Sequence, residues 1–203
     1  MQVKTCDGGV FLHNASYNAP TIGALNVPQP SVLPWKDTLV LYVLVADDAF
    51  PLTSCLIKPY AREVPKGAQK RVFNYRLSRE LRIVENAFGL LASVLGIFRK
   101  PLIVRPCTAE DIALPCVYLH NFLRINSAAK QLHSPPGTFC FENTDDGTVI
   151  EGEWRRKIQN DSGMVKLAKT PRNHGNDAKK IRGAFLDYFM SNEGRVSWQD
   201  KYL

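Results

Sequence analysis

An apolar run of eight residues, Leu39–Ala46, most restricts what this chain can fold into. Hydrophobic residues fill nearly every position of the run instead of alternating with polar ones. This pattern is typical of a β-strand that is buried on both faces, as in the middle of a parallel sheet. Two acidic residues, Asp47 and Asp48, follow directly. The sequence therefore predicts an α/β fold with carboxylates at the carboxyl end of a central strand.

An amphipathic helix is predicted from residue 77 to about residue 97, because apolar side chains recur there every three or four positions. Glu85 falls at the edge of this apolar stripe, so we expect its carboxylate to lie beside the core and not on the open side. The stripe consists of Leu77, Leu81, Val84, Phe88, Leu91 and Leu95.

Asp47 and Glu85 are candidate ligands of a divalent cation. Mg²⁺ and Mn²⁺ accept hard oxygen ligands, and a strand end and a helix face can bring two carboxylates to one ion. The pattern alone also fits simpler roles. Asp47 can cap the amides of a turn at Ala49 or Phe50, and Glu85 can pair with an arginine, Arg79 or Arg82, on its own helix.

Further elements follow from local signals. A helix is predicted over residues 108–125, with Thr108 as its N-cap and with Pro115 kinking it or delaying its start. Turn-forming residues within 126–150 favour a loop with a hairpin. A last amphipathic helix is predicted over about 177–190, with Ile181, Phe185, Tyr188 and Phe189 on one face.

The net charge of +7 is concentrated in two stretches. Residues 58–82 hold eight Lys or Arg against two Glu, and residues 155–182 hold nine against two Asp. Such clusters suit the phosphate backbone of DNA, although a solvated basic surface remains the alternative. Within the first stretch, Arg76, Arg79 and Arg82 are candidates for phosphate contacts or are simply exposed. Nearby aromatic rings, Tyr60, Phe73 and Tyr75, suit base stacking, although core packing is the commoner role for Phe73.

Several classes of protein are disfavoured. Five scattered cysteines without a C-x-x-C pair argue against a disulfide framework and a zinc ribbon. No apolar stretch approaches the length of a membrane helix, and we expect no secretory signal peptide. His120 and Asn121 resemble a general base and its partner, but we favour a structural role for both.

A series of short sequence words, in order, closely resembles the C-terminal half of the PIF/Harbinger-type transposases and of the nuclease-like proteins derived from them. The resemblance covers about residues 5–125 and, more faintly, 149–199, where Gly152–Arg155 and Tyr188-Phe189 recur. The words are Asp7–Phe11, Val45–Leu52, Lys58–Tyr60, Phe73–Arg79, Val84–Gly89 and Leu119–Leu123.

The resemblance implies an RNase H-like α/β fold with a D-D-E metal site. Asp47 matches the second Asp of that site and Glu85 its final Glu, and the ion would be Mg²⁺ or Mn²⁺. The first Asp lies in an Asp-Gly-Thr-His type of word, which this sequence does not contain. We therefore expect a partial nuclease domain at residues 1–125 that lacks its first strands. Residues 126–203 would form a mostly irregular basic extension with a terminal helix.

The resemblance also implies a function and partners. Intact relatives would hydrolyse DNA phosphodiesters with a divalent metal, whereas this chain, with an incomplete D-D-E site, is expected to be inactive. The alternative is a non-catalytic fragment that binds DNA or protein, or a truncated chain without an independent fold. DNA and a separate Myb-like DNA-binding protein are the expected partners, without a membrane. The expected location is the nucleus, or both the nucleus and the cytoplasm.

Overall fold

The structure, a computed structural model, describes residues 28–60, 64–158 and 175–203. It forms two compact units, Met1–Leu81 with Leu167–Leu203 and Arg82–Lys166. Helices and short two-stranded sheets are combined, which agrees with the predicted α/β class. The RNase H-like topology and the boundary between residues 125 and 126 stay predictions. The word Asp7–Phe11 lies outside the described residues.

The described part of the first unit contains two small sheets. Strands β1 (Ser31–Val32) and β2 (Leu39–Val40) pair antiparallel, and β3 (Leu44–Val45) and β4 (Leu56–Ile57) pair parallel. The predicted single buried strand over residues 39–46 is therefore wrong. The run is divided between two sheets, and three of its side chains, Leu39, Tyr42 and Leu44, are exposed. The parallel pairing itself agrees with the prediction.

Helix α1 spans Gln69–Val94, so the predicted start at residue 77 is wrong. The pattern of apolar residues begins earlier, because Val72 and Phe73 are both completely buried. Phe73 and Leu77 belong to the core of the first unit, together with Leu52 of the loop between β3 and β4. The helix thus places its first turns on the core that also holds the parallel strands.

Helix α5, Asn176–Met190, confirms the predicted terminal helix to within one residue. Three of the four residues assigned to its apolar face, Ile181, Phe185 and Phe189, pack against the core of the first unit. Ala178 is buried in that core. A segment after this helix, residues 191–203, ends in a 3₁₀ turn, Gln199–Tyr202, and is called the C-terminal segment below.

The second unit begins with the last turns of α1 and, over its described residues up to 158, continues through three helices and a hairpin. The predicted hairpin is confirmed, because β5 and β6 pair antiparallel around a turn in which Gly147 has a φ of +67°. The extension after residue 125 is mostly regular among its described residues, so the expected irregular tail is wrong for them. The elements are a 3₁₀ turn at Gly96–Arg99, α2 at Pro106–Ile125, α3 at Ser127–His133, β5 at Phe141–Glu142, β6 at Val149–Ile150 and α4 at Glu153–Ile158.

Helix α2 begins before the predicted N-cap Thr108, with Pro106 in its first turn. That position suits proline, because its missing N–H has no helical partner there. The helix also continues through Pro115 without a break, which corrects the predicted late start, whereas the predicted kink stays a prediction. Proline removes the N–H that would bond to the carbonyl of Asp111. Since both residues are exposed, water can reach that carbonyl.

The predicted apolar stripe of α1 is confirmed only in part in the second unit. Its member Leu91 is buried, as is the neighbouring Leu90, whereas Val84 and Phe88 are 51% and 55% exposed. The face that packs carries Asn86 and Gly89, because a later segment of the same unit lies against those two residues. No helix in the described ranges is long and apolar enough to cross a membrane.

Candidate active site

Asp47 lies two residues after the carboxyl end of β3, in an exposed turn. Its Oδ1 accepts a hydrogen bond of 2.9 Å from the amide of Ala49, so the turn role considered for this residue is present. An Asx turn engages only one carboxylate oxygen. The neighbouring Asp48 pairs with Lys58, with 3.5 Å between the charged atoms. Asp47 therefore combines a fixed backbone position with a carboxylate that is open to solvent.

Glu85 lies on the exposed side of α1, with 56% of its side chain accessible. The expectation that it lies beside the core is wrong. Its Oε2 is 2.8 Å from Nη2 of Arg155. The pairing considered for it, with Arg79 or Arg82 on the same helix, is replaced by this contact with a residue distant in the sequence. Among the described residues, no three His, Cys, Asp or Glu side chains are grouped as a metal site requires.

The residue types suit a divalent ion even so. Asp47 and Glu85 are both exposed, and carboxylate oxygens are the hard donors that Mg²⁺ and Mn²⁺ accept. Asp47 belongs to the first unit and Glu85 to the second. Whether the two bind one ion stays a prediction.

The candidate phosphate-binding arginines of α1 have internal contacts. Arg76 donates a 2.7 Å hydrogen bond from Nη1 to the carbonyl of Gly194 and lies over the ring of Phe189. Arg79 lies over the ring of Trp198. These two guanidinium groups therefore join α1 to α5 and the C-terminal segment, whatever they contribute to DNA binding.

The third arginine, Arg82, forms a largely buried ion pair. Its Nη1 is 3.0 Å from Oε2 of Glu142, and the two side chains are only 15% and 5% exposed. Removal of one member of a buried pair leaves an unsatisfied charge, which makes such a pair costly to break. This contact joins α1 to the hairpin of the second unit.

The aromatic rings near these arginines are packed inside the first unit. Phe73 is completely buried and Tyr75 nearly so, and the Tyr75 ring stacks on Tyr202 with centroids 3.6 Å apart. Tyr60 contacts Phe73 edge to face, and Arg182 lies 3.9 Å from the centre of its ring. The expectation that all three are platforms for bases is therefore wrong for Phe73 and Tyr75.

Two asparagines of α1 use their side-chain amides to hydrogen-bond the backbone of residues distant in the sequence. Asn74 accepts from the N–H of Tyr60 at 2.7 Å and donates to its carbonyl at 3.1 Å. Asn86 does the same for Cys140, at 2.9 and 2.7 Å. An amide side chain carries both a donor and an acceptor, so it can pair with one residue of backbone as a neighbouring strand would. Both asparagines lie within sequence words of the resemblance, but the sequence alone predicts no contact for either.

The word Gly152–Arg155 is brought directly against the word that contains Glu85. Trp154 is buried, and its Nε1 donates to Oδ1 of Asn86 at 2.8 Å. A Cβ at Gly89 would lie 2.2 Å from the Trp154 ring, and one at Gly152 would lie 2.3 Å from the carbonyl oxygen of Thr138. Only glycine permits these two approaches, which explains why both words carry it.

His120 and His133 contact each other through their rings. Nδ1 of His120 is 3.2 Å from Nε2 of His133. Burial lowers the pKa of both imidazoles, His133 lowers that of His120 further, and the charge of Arg124 lowers the pKa of both. A lowered pKa favours neutral rings, of which one donates and the other accepts. This internal contact supports the structural role preferred for His120. Asn121 is exposed.

Comparison with known families gives one match. Residues 23–121 match the model of a family described as DDE superfamily endonuclease. The matched stretch is slightly under half of the chain, and it includes Asp47 and Glu85. Neither the curated proteins nor the solved structures gave a match. The match supports the superfamily that the sequence words suggested, whereas the PIF/Harbinger subtype stays a prediction.

Proposed function

We propose that this chain contains a transposase-derived DDE endonuclease domain of the PIF/Harbinger type. The observation that carries the proposal is the match over residues 23–121, because it includes both candidate metal ligands. Their local settings agree with that role. Asp47 follows a parallel strand, and Glu85 presents an exposed carboxylate from a long helix.

In this proposal the carboxylates of Asp47 and Glu85 hold a divalent ion, Mg²⁺ or Mn²⁺. Such an ion activates a water molecule and stabilises the charge that develops on phosphate oxygens. The turn at Ala49 fixes one oxygen of Asp47 and leaves the other for the ion. Glu85 has to exchange its contact with Arg155, or share it, when the ion binds.

We further propose that this chain does not hydrolyse DNA. The resemblance assigns three carboxylates to the site, and the sequence offers counterparts for two of them. Two carboxylates leave most positions around the ion to water, so the ion binds weakly. The relatives with all three carboxylates are the ones in which we expect cleavage.

A nuclease assay tests this function. The purified chain is incubated with supercoiled plasmid and Mg²⁺ or Mn²⁺, alongside the variants Asp47→Asn and Glu85→Gln. We expect no nicking above background from any of the three proteins. Nicking that both substitutions abolish would support the site and refute the inactivity. Nicking that neither substitution changes would refute the assignment of the site.

Binding of DNA without cleavage is the second candidate function, and the clustered positive charge favours it. Nine basic residues lie within 155–182 and eight within 58–82. Of the three candidate arginines, Arg76 and Arg79 add to the positive field while they keep their internal contacts, whereas Glu142 offsets the charge of Arg82. Affinity for a DNA duplex should fall steeply with salt, since each phosphate contact releases counterions. A flat response between about 50 and 200 mM salt would contradict DNA binding.

A nuclear location and a Myb-like DNA-binding partner belong to the same proposal. Both are supported only by the resemblance, which describes nucleases that depend on a separate protein to find their DNA target. Fluorescence microscopy of the tagged full-length chain tests the location directly. Exclusion from the nucleus, with and without such a partner expressed alongside, would contradict this part of the proposal.

A further inference from the structure

We propose that Arg155 is a built-in counter-ion that competes with the divalent cation for Glu85. The inference rests on the proposed function, because it takes Glu85 as a metal ligand. Arg155 acts through Glu85, so it is a regulatory and positioning residue and not a catalytic one.

The guanidinium of Arg155 touches two groups of the same unit. Nη2 lies 2.8 Å from the Glu85 carboxylate, and Nε donates to Sγ of Cys140 at 3.2 Å. The first contact neutralises Glu85, and the second limits where the side chain can swing. Arg155 is therefore held beside Glu85 by more than charge.

The backbone that carries Arg155 is anchored as well. Its neighbour Trp154 is buried and donates to Asn86, which lies next to Glu85 on α1. Gly152 donates its N–H to Sγ of Cys140 at 3.1 Å. The word Gly152–Arg155 thus docks one turn of α4 on the helix that carries the candidate ligand. The docking brings a positive charge to the place where an ion would bind.

The electrostatic consequence can be estimated. An exposed ion pair adds little to folding, because water screens it. A divalent ion bound to Glu85, however, carries two positive charges. The positive guanidinium of Arg155 repels it across a few ångströms. Loss of the Arg155 charge should therefore tighten binding of the ion by about two- to tenfold.

The test measures Mn²⁺ binding to the full chain by the electron paramagnetic resonance of free Mn²⁺. Arg155→Gln should bind more tightly than wild type, and Arg155→Lys, which keeps the charge, should stay close to wild type. The matched control is Arg156→Gln, which removes the same charge from the next residue of α4. Arg156 is 74% exposed and lies 3.9 Å from Glu153. An equal gain in Arg155→Gln and Arg156→Gln would refute a specific counter-ion, because net charge alone would explain it.

Glu85→Gln separates failure of the inference from failure of the proposed function. If this variant binds Mn²⁺ as wild type does, Glu85 is not a ligand, and the proposed metal role fails with the inference. If it binds more weakly while Arg155→Gln is unchanged or weakened, only the counter-ion is refuted. Weaker binding by Glu85→Gln together with tighter binding by Arg155→Gln is the expected pair of results.

A second measurement needs no substitution at Arg155, in case its replacement unfolds α4. The Nε–H group of Arg155 in the wild-type chain should give a nuclear magnetic resonance signal that is protected by the contact with Cys140. Titration with Mg²⁺ should shift this signal over the concentrations at which the wild-type chain binds Mg²⁺, and in Glu85→Gln the shift should need higher concentrations. A signal that stays unchanged while Glu85 binds the ion would overturn the proposal.

Discussion

Because Gly89 lies so close to Trp154, one substitution can distinguish helix propensity from side-chain packing. The two effects change the free energy of unfolding in opposite directions. Gly89 lies inside α1, where replacement of glycine by alanine ordinarily stabilises a helix by about 1 kcal/mol. Here the new Cβ would lie 2.2 and 2.3 Å from two atoms of the Trp154 ring, far inside ordinary contact. We expect Gly89→Ala to lower the free energy of unfolding.

The magnitude follows from three contributions. Overpacking costs about 1–3 kcal/mol, and displacement of the ring weakens its hydrogen bond to Asn86, which adds about 0.5–1.5 kcal/mol. The gain in helix propensity offsets about 1 kcal/mol of this. The net destabilisation is therefore about 0.5–3.5 kcal/mol. In the background of Trp154→Leu the obstacle is smaller, so the same substitution should cost less or become stabilising.

Urea unfolding, followed by far-ultraviolet circular dichroism and tryptophan fluorescence, measures this change. With a slope of about 2 kcal/mol per molar urea, the midpoint should fall by about 0.3–1.8 M. The matched control is Gly183→Ala in α5, where a Cβ would meet nothing within 4 Å and stability should rise by about 0.5–1 kcal/mol. If Gly89→Ala proves as stable as Gly183→Ala, the packing of Trp154 on α1 is refuted.

Three further outcomes follow from side-chain contacts. Asn74→Ala should lower the free energy of unfolding by about 1–3 kcal/mol, because the backbone of Tyr60 loses both hydrogen bonds; an unchanged urea midpoint would refute the pairing. Folding lowers the pKa of His120 and that of His133, so the unfolded chain binds more protons than the folded chain. The free energy of unfolding that is present above about pH 6.5 should therefore fall on acidification. In His133→Asn this loss between pH 7 and 5 should shrink, and an identical pH profile in urea titrations would contradict it. Arg76→Met should release the C-terminal segment, visible as faster amide hydrogen exchange there, and unchanged protection would argue against the contact.

Elements with a repeating apolar pattern were the most predictable from sequence. The terminal helix, observed at Asn176–Met190, agrees with the prediction within one residue, because its apolar positions repeat with helical spacing and three of them, Ile181, Phe185 and Phe189, pack against one core. The hairpin was predicted from turn residues, and Gly147 has the positive φ that such a turn requires. The apolar run Leu39–Ala46 misled, because composition does not reveal that a strand is divided between two sheets.

The contacts of the candidate site were less predictable, since they depend on partners that are distant in sequence. Glu85 faces solvent and meets Arg155, a pairing that no local spacing suggests. Arg82 finds Glu142 for the same reason. The sequence words did carry a signal: the word with Glu85 and the word with Trp154 touch in the structure. Similarity to a family can thus mark residues that contact each other, without stating which ones pair.

Above all, we propose that Asp47 and Glu85 bind the same divalent ion. Mn²⁺ binding to the wild-type chain, to Asp47→Asn, to Glu85→Gln and to the double variant tests it most directly, with Glu80→Gln on the same helix as the control. We expect binding at one site, whose affinity each single substitution lowers by about tenfold, or about 1.4 kcal/mol, and the double variant lowers further. Two separate sites, each lost in one single variant while the other keeps its wild-type affinity, or single variants that bind as Glu80→Gln does, would contradict a shared ion.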